Sequence, residues 1–156
     1  MSGITLFGTF HTVIGLGAVI AGARALLRDG AIRTTSSMGK VYAGLTLVTS
    51  VSALAIFHHG GFGVAHVLAL ITLATMALAA LAQRFGKTTA AMLAWSATYL
   101  FHWVPAVTET LTRVPAFGPL TVESPAVKNA HATLLVLFLA GATWQFLRRG
   151  RLAAAR

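Results

Sequence analysis

Long apolar stretches alternate with short polar segments along almost the whole chain. A membrane-spanning helix takes about 20 mostly apolar residues, and five stretches approach or exceed that length. They cover residues 4–27, 41–57, 62–82, 88–108 and 125–147. The pattern predicts an all-α fold, an integral membrane bundle of five transmembrane helices that forms a single domain over residues 1–156.

The composition excludes most soluble classes of protein. The chain is 56% hydrophobic and 10% charged, whereas soluble domains are about 25% charged. Disordered chains are poor in apolar residues, so disorder is excluded as well. The sequence contains no cysteine, which removes disulfides, iron–sulfur clusters and thiolate zinc sites.

The basic residues indicate an orientation. Ten of the twelve Lys and Arg residues lie around the first loop, in the third loop or at the C-terminal end. Cytoplasmic segments of membrane proteins collect Lys and Arg, so we expect the N-terminus outside and the C-terminus in the cytoplasm. The net charge of +9 is thereby explained by topology and contact with the lipid bilayer, without a nucleic-acid partner.

The six histidines all fall toward the outer side of this predicted topology. His58 and His59 lie at the outer end of the second predicted helix and are interpreted as interfacial residues. The other four lie on four different helices, roughly 6–10 Å below the outer surface. They are His11, His66, His102 and His131. Ionisable residues inside a bilayer are rare and usually face the bundle interior, so these four are the candidate ligands of a shared metal site.

Glu109 is the candidate catalytic residue. It follows His102 by seven positions, which places the two on nearly the same helical face. A carboxylate there would serve as a base, a ligand or a partner of a ligating histidine. The alternative is an ion pair with Arg113, four residues further along the helix.

Five short motifs resemble a family of bacterial multi-pass membrane proteins known as a domain of unknown function. The first stretch carries a His and Gly pattern from Phe10 to Gly15, and Gly39 to Tyr42 is similar to the family's Gly-x-Val-Tyr motif. The start of the third stretch, Gly63 to His66, resembles its Gly-Pro-Phe-His motif. Trp-Ser at 95–96 and the Glu-x-x-x-Arg segment at 109–113 complete the resemblance.

The resemblance extends over about residues 7–115 and departs from the family at one point. The family has a histidine just before the second helix, where this chain has Thr35. The resemblance implies a protein of the bacterial inner membrane in which His11, His66 and Glu109 are functional residues. It implies no activity, so the functional hypotheses rest on the histidines.

Three hypotheses follow from this pattern. The first is a metal site near the outer, periplasmic face, in which histidines bind zinc, iron or copper and an open position allows metal-dependent catalysis on a lipid or a small polar molecule. The second is electron transfer from quinol, with haem b held between His66 and His131 or between His11 and His102. The third is a non-catalytic accessory subunit of a larger membrane complex.

Overall fold

The computed structural model describes residues 5–57 and 61–154, with side chains as far as Arg149. The described part is helical and contains no strand, which confirms the all-α prediction. A single 3₁₀ turn, Pro115–Phe117, joins the last two helices. The five α-helices are α1 Leu6–Asp29, α2 Ser37–Ala53, α3 Val64–Arg84, α4 Thr88–Arg113 and α5 Pro125–Ala154.

Three of these helices are long and apolar enough to cross a membrane. They are α1, α3 and the segment of α5 from Pro125 to Arg149. Helix α2 has 17 residues and falls short of the usual length. Helix α4 has 26 residues, but hydroxyl-bearing and charged residues interrupt its apolar sequence. Length and composition therefore support membrane association through three helices.

Helix α2 begins and ends four residues earlier than its apolar stretch suggested. The helix starts where Ser36 caps it, because the Ser36 side chain accepts a hydrogen bond from the backbone N–H of Gly39 at 3.2 Å. Hydropathy locates the apolar part of a helix, whereas capping side chains locate its first turn. Prediction from apolar content consequently missed the polar first turn of α2.

The faces of α2 are inverted relative to a helix of a water-soluble protein. Large apolar residues on this helix are exposed, among them Val41, Leu47, Val48 and Val51. The side chains buried against the rest of the fold are mostly hydroxyl-bearing: Tyr42, Thr46, Thr49, Ser50 and Ser52. Extensive exposed apolar surface marks a membrane or partner contact, and polar residues turned inward avoid the lipid.

The chain divides into two compact units, Met1–Thr98 and Tyr99–Arg156, and each is described by itself. In unit 1, α2 packs against both α1 and α3. The small residues of α1 allow close approach, because a Cβ at Gly15 would lie only 3.4 Å from the Thr49 methyl carbon. The buried residues of α1 are all glycine or alanine, and they are used for packing inside unit 1.

Tyr42 joins α2 to the first half of α4 within unit 1. Its hydroxyl lies 2.8 Å from Oγ1 of Thr98, which in turn donates to the backbone carbonyl of Trp95. The Thr98 hydroxyl has one proton, so the Tyr42 hydroxyl is the donor of the bond between them. The Trp95 ring meets the Tyr42 ring edge-on, with 6.4 Å between the ring centroids.

Candidate functional site

His11 is held in one tautomer by a hydroxyl of α2. Its Nδ1 lies 2.9 Å from Oγ of Ser52, and the Ser52 hydroxyl donates its proton to the Thr49 carbonyl at 2.9 Å. Ser52 can therefore only accept from His11, which places a proton on Nδ1 of the imidazole. In the neutral ring the remaining nitrogen, Nε2, carries a lone pair that a metal ion or a donor group can use.

His131 shows the same arrangement in unit 2, with the two ring nitrogens exchanged. Its Nε2 lies 2.9 Å from Oγ1 of Thr108 and 3.4 Å from the Val104 carbonyl. The Thr108 hydroxyl donates to that same carbonyl at 2.8 Å, so it accepts the Nε2–H of His131. The neutral ring then keeps its lone pair on Nδ1.

His66 has the opposite hydrogen-bonding role. The backbone N–H of Gly63 donates to Nδ1 of His66 at 3.1 Å, and only a neutral ring with a lone pair on Nδ1 can accept it. The proton of the ring is therefore on Nε2. Nε2 can bind a metal ion only if the Gly63 bond breaks or the ring loses this single N–H proton, so the observed arrangement presents a donor.

The Nε2–H of His66 is buried and has no acceptor among the described residues. The side chain is 4% exposed, and its ring lies between two phenylalanine rings. The centroid distances are 4.7 Å to Phe57 and 5.1 Å to Phe62. An unsatisfied donor in a membrane interior costs several kcal/mol, and the indole N–H of Trp95 is the other buried side-chain donor without an acceptor among the described residues.

His102 and Glu109 lie in the part of α4 that belongs to unit 2. His102 is half-buried. Glu109 forms an ion pair with Arg113, and both side chains are more than half exposed. The predicted alternative for Glu109, pairing with Arg113, is therefore present in the structure, while its role as a base or ligand stays a prediction.

The predicted ligands are distributed over both units. In unit 1, His11 and His66 lie at the same end, since His11 bonds to the last turn of α2 and His66 stacks on Phe57 just beyond it. His102 and His131 belong to unit 2. Within the described ranges, neither unit groups three His, Asp or Glu side chains in a way that could hold a metal ion. The four-histidine site stays a prediction, and His58 and His59 lie outside the described residues.

Sequence analysis missed the hydroxyls that orient the histidines. Ser52 lies 41 positions from His11, and Thr108 lies 23 positions from His131. Their one sequence signal is local: each hydroxyl can bond to a carbonyl three or four residues earlier on its own helix. That bond is also common in purely structural Ser and Thr residues, so it does not identify the pairing.

Comparisons of the chain with protein-family models, with curated proteins and with solved structures found no match. The resemblance to a family of bacterial membrane proteins therefore stays a prediction.

Proposed function

We propose that this chain is an integral membrane protein of the bacterial inner membrane that binds a transition-metal ion through histidines held by hydroxyl groups. The observation that carries the proposal is the His11–Ser52–Thr49 chain of hydrogen bonds. Metal-binding histidines typically donate one ring N–H to a fixed acceptor, which sets the tautomer and directs the other nitrogen to the metal. His11 and His131 both have this form.

The proposed topology has five crossings, with the N-terminus outside. Helix α2 would span about 25 Å, somewhat less than the hydrocarbon core of about 30 Å. Local thinning of a bilayer accommodates a short helix at modest cost. The inward hydroxyl face and outward apolar face of α2 support its placement among lipids.

Single cysteine variants test this topology directly, because the natural chain has no cysteine. Thr35→Cys and Lys87→Cys replace exposed residues in loops that the proposal places in the cytoplasm, and Ala116→Cys replaces an exposed residue that it places outside. In intact inverted and right-side-out vesicles, we expect an impermeant maleimide to label Ala116→Cys on the opposite side from the other two. Labelling of all three from the same side would contradict the five-span topology.

The donor set favours metals that accept imidazole nitrogen. Zinc, copper and iron do so, and Glu109 adds a carboxylate oxygen if it leaves Arg113. His102 remains a candidate ligand in unit 2. We do not include His66 in the proposed donor set, because its Nδ1 accepts the Gly63 N–H and its Nε2 carries the proton.

Metal content of the purified protein tests this set of ligands. We expect about one or more metal ions per wild-type chain, with strong loss in His11→Ala and in His131→Ala. Ser52→Ala leaves the His11 ring in place but removes its anchor, so we expect affinity to fall about 10–100-fold. His66→Phe keeps an aromatic ring between Phe57 and Phe62 and is expected to retain the metal.

Elemental analysis measures the metal content of each variant, and circular dichroism shows whether its helices are retained. Together they separate the loss of a metal ligand from the loss of the fold. Equal metal content in wild type, His11→Ala and His131→Ala would refute the proposal, as would a folded wild-type protein without metal. Iron accompanied by a Soret band in the absorption spectrum would show that the bound group is haem and not a bare metal ion.

A further inference from the structure

We propose that His66 is a hydrogen-bond donor for the carbonyl oxygen of a neutral, membrane-dissolved molecule. The inference goes beyond metal binding and does not depend on it. Three observations carry it: the tautomer set by Gly63, the burial of the protonated Nε2, and the lack of an acceptor for that proton among the described residues.

The hydrogen bond from Gly63 decides which nitrogen of His66 is left for a ligand. Since Nδ1 of His66 accepts the Gly63 N–H at 3.1 Å, the ring can offer only Nε2–H to a ligand. A ligand at this nitrogen must therefore supply a lone pair. This requirement selects oxygen acceptors such as carbonyls and excludes ligands that offer only N–H donors at the contact.

The stretch of sequence around His66 is uncharged, and this decides which acceptors can enter. The sequence contains no Asp, Glu, Lys or Arg between Val41 and Gln83, and His66 is neutral in the observed bond. An anionic acceptor such as phosphate or carboxylate would lose its hydration without meeting a cation, which is costly. A neutral carbonyl loses far less hydration, so it is the acceptor that this environment favours.

The position of His66 and the rings that cover it decide how a ligand can reach its Nε2–H. His66 is the third residue of α3, about 3 Å along the axis from the helix start, which is close to the edge of the apolar span. Phe57 and Phe62, the two rings that cover it, are each more than half exposed. Because Phe62 is largely exposed, a rotation of its side chain would open the histidine toward the surface of the described fold.

Two sources carry such a carbonyl at this depth: the ester group of a glycerolipid and the ring of a quinone. The shared chemistry is a neutral C=O that accepts the Nε2–H. The test uses full-length protein labelled with ¹⁵N-histidine in nanodiscs of diester phosphatidylcholine, in nanodiscs of diether phosphatidylcholine, and in diether nanodiscs with decylubiquinone added. The measured quantity is the proton chemical shift of the His66 Nε2–H group.

We expect this proton to move downfield when its acceptor is present. A shift between diether and diester nanodiscs assigns the acceptor to the lipid ester, and a shift on addition of decylubiquinone assigns it to the quinone. The Nδ1–H of His11 is the internal reference, because Ser52 supplies its acceptor within the protein. Contacts of the His66 ring with the Phe57 and Phe62 rings identify its signal without relying on a variant.

Removal of the donor provides an independent measurement. His66→Phe preserves a ring between the two phenylalanines but has no N–H. Where the quinone is the acceptor, we therefore expect decylubiquinone to bind to this variant at least tenfold more weakly than to the wild-type protein. The same Nε2–H shift in all three nanodisc preparations would overturn the proposal, because the acceptor would then belong to the protein. Absence of an Nε2–H signal in the metal-loaded protein would also overturn it, since Nε2 would be a metal ligand.

Discussion

Replacement of Gly39 by alanine is expected to lower the free energy of unfolding by about 3 kcal/mol. A Cβ built on Gly39 would overlap the carbonyl carbon and oxygen of Arg33, which are backbone atoms that cannot rotate away. The same carbonyl accepts hydrogen bonds from the backbone N–H and the hydroxyl of Ser36. Relief of the overlap would therefore require the first turn of α2 to move away from its cap.

Gly44 is the matched control for this substitution. It lies on the same helix, and an added Cβ there meets no atom within 4 Å. Gly44→Ala is expected to be neutral or to stabilise the helix by about 0.5–1 kcal/mol, because alanine loses less backbone entropy than glycine. Denaturant titration in detergent, followed by helical circular dichroism, compares the two variants. Equal stability of Gly39→Ala and Gly44→Ala would show that the contact with Arg33 does not restrict α2.

Replacement of Tyr42 by alanine is expected to cost about 3–5 kcal/mol, the range for large aromatic side chains removed from a core. Tyr42 is fully buried, and its ring packs edge-on against Trp95. Alanine would leave a cavity between α2 and the first half of α4, and it would deprive the Thr98 hydroxyl of its donor. Both losses act on the contact that joins these two helices in unit 1.

Tyr42→Phe separates the ring from the hydroxyl. The phenyl ring keeps the packing, and only the 2.8 Å bond to Thr98 is lost, so we expect a cost of about 1 kcal/mol. A double-mutant cycle with Thr98→Val measures the coupling between the two side chains. If Tyr42→Ala and Tyr42→Phe lowered stability equally, packing of the ring would contribute nothing, and the prediction would be wrong.

Gly39 and Tyr42 belong to the Gly-x-Val-Tyr motif on which part of the family resemblance rests. In the structure, the glycine allows close approach to a carbonyl and the tyrosine fills the interior of unit 1. Each has a packing role that explains its residue type. The motif therefore indicates how α2 is placed.

The helices themselves were largely predictable from hydropathy, and their ends were not. All five stretches correspond to helices, but α2 starts at Ser37 instead of residue 41, and α4 continues to Arg113 instead of stopping at residue 108. Both differences involve polar turns, which hydropathy assigns to loops. The cap at Ser36 and the pair between Glu109 and Arg113 stabilise these turns as helix.

The candidate residues show a similar division. The four histidines within the apolar stretches stand out in the sequence because ionisable residues are rare there. Which ring nitrogen carries the proton depends on hydrogen-bond partners in another helix, as for His11, or at the start of the same helix, as for His66. Ser52 makes the Nε2 of His11 a lone-pair donor, whereas Gly63 makes the Nε2 of His66 a proton donor.

The sequence by itself determined that the chain is helical, that its surface suits lipid, and that histidines are its unusual polar residues. Hydrophobic content and spacing are properties of short stretches, so they can be evaluated without the fold. Only the tertiary structure decided that the small residues of α1 and the hydroxyls of α2 are used in packing, and which nitrogen each histidine leaves for a ligand. A hydrogen bond acts over about 3 Å, and which atoms come that close depends on how segments distant in sequence are packed.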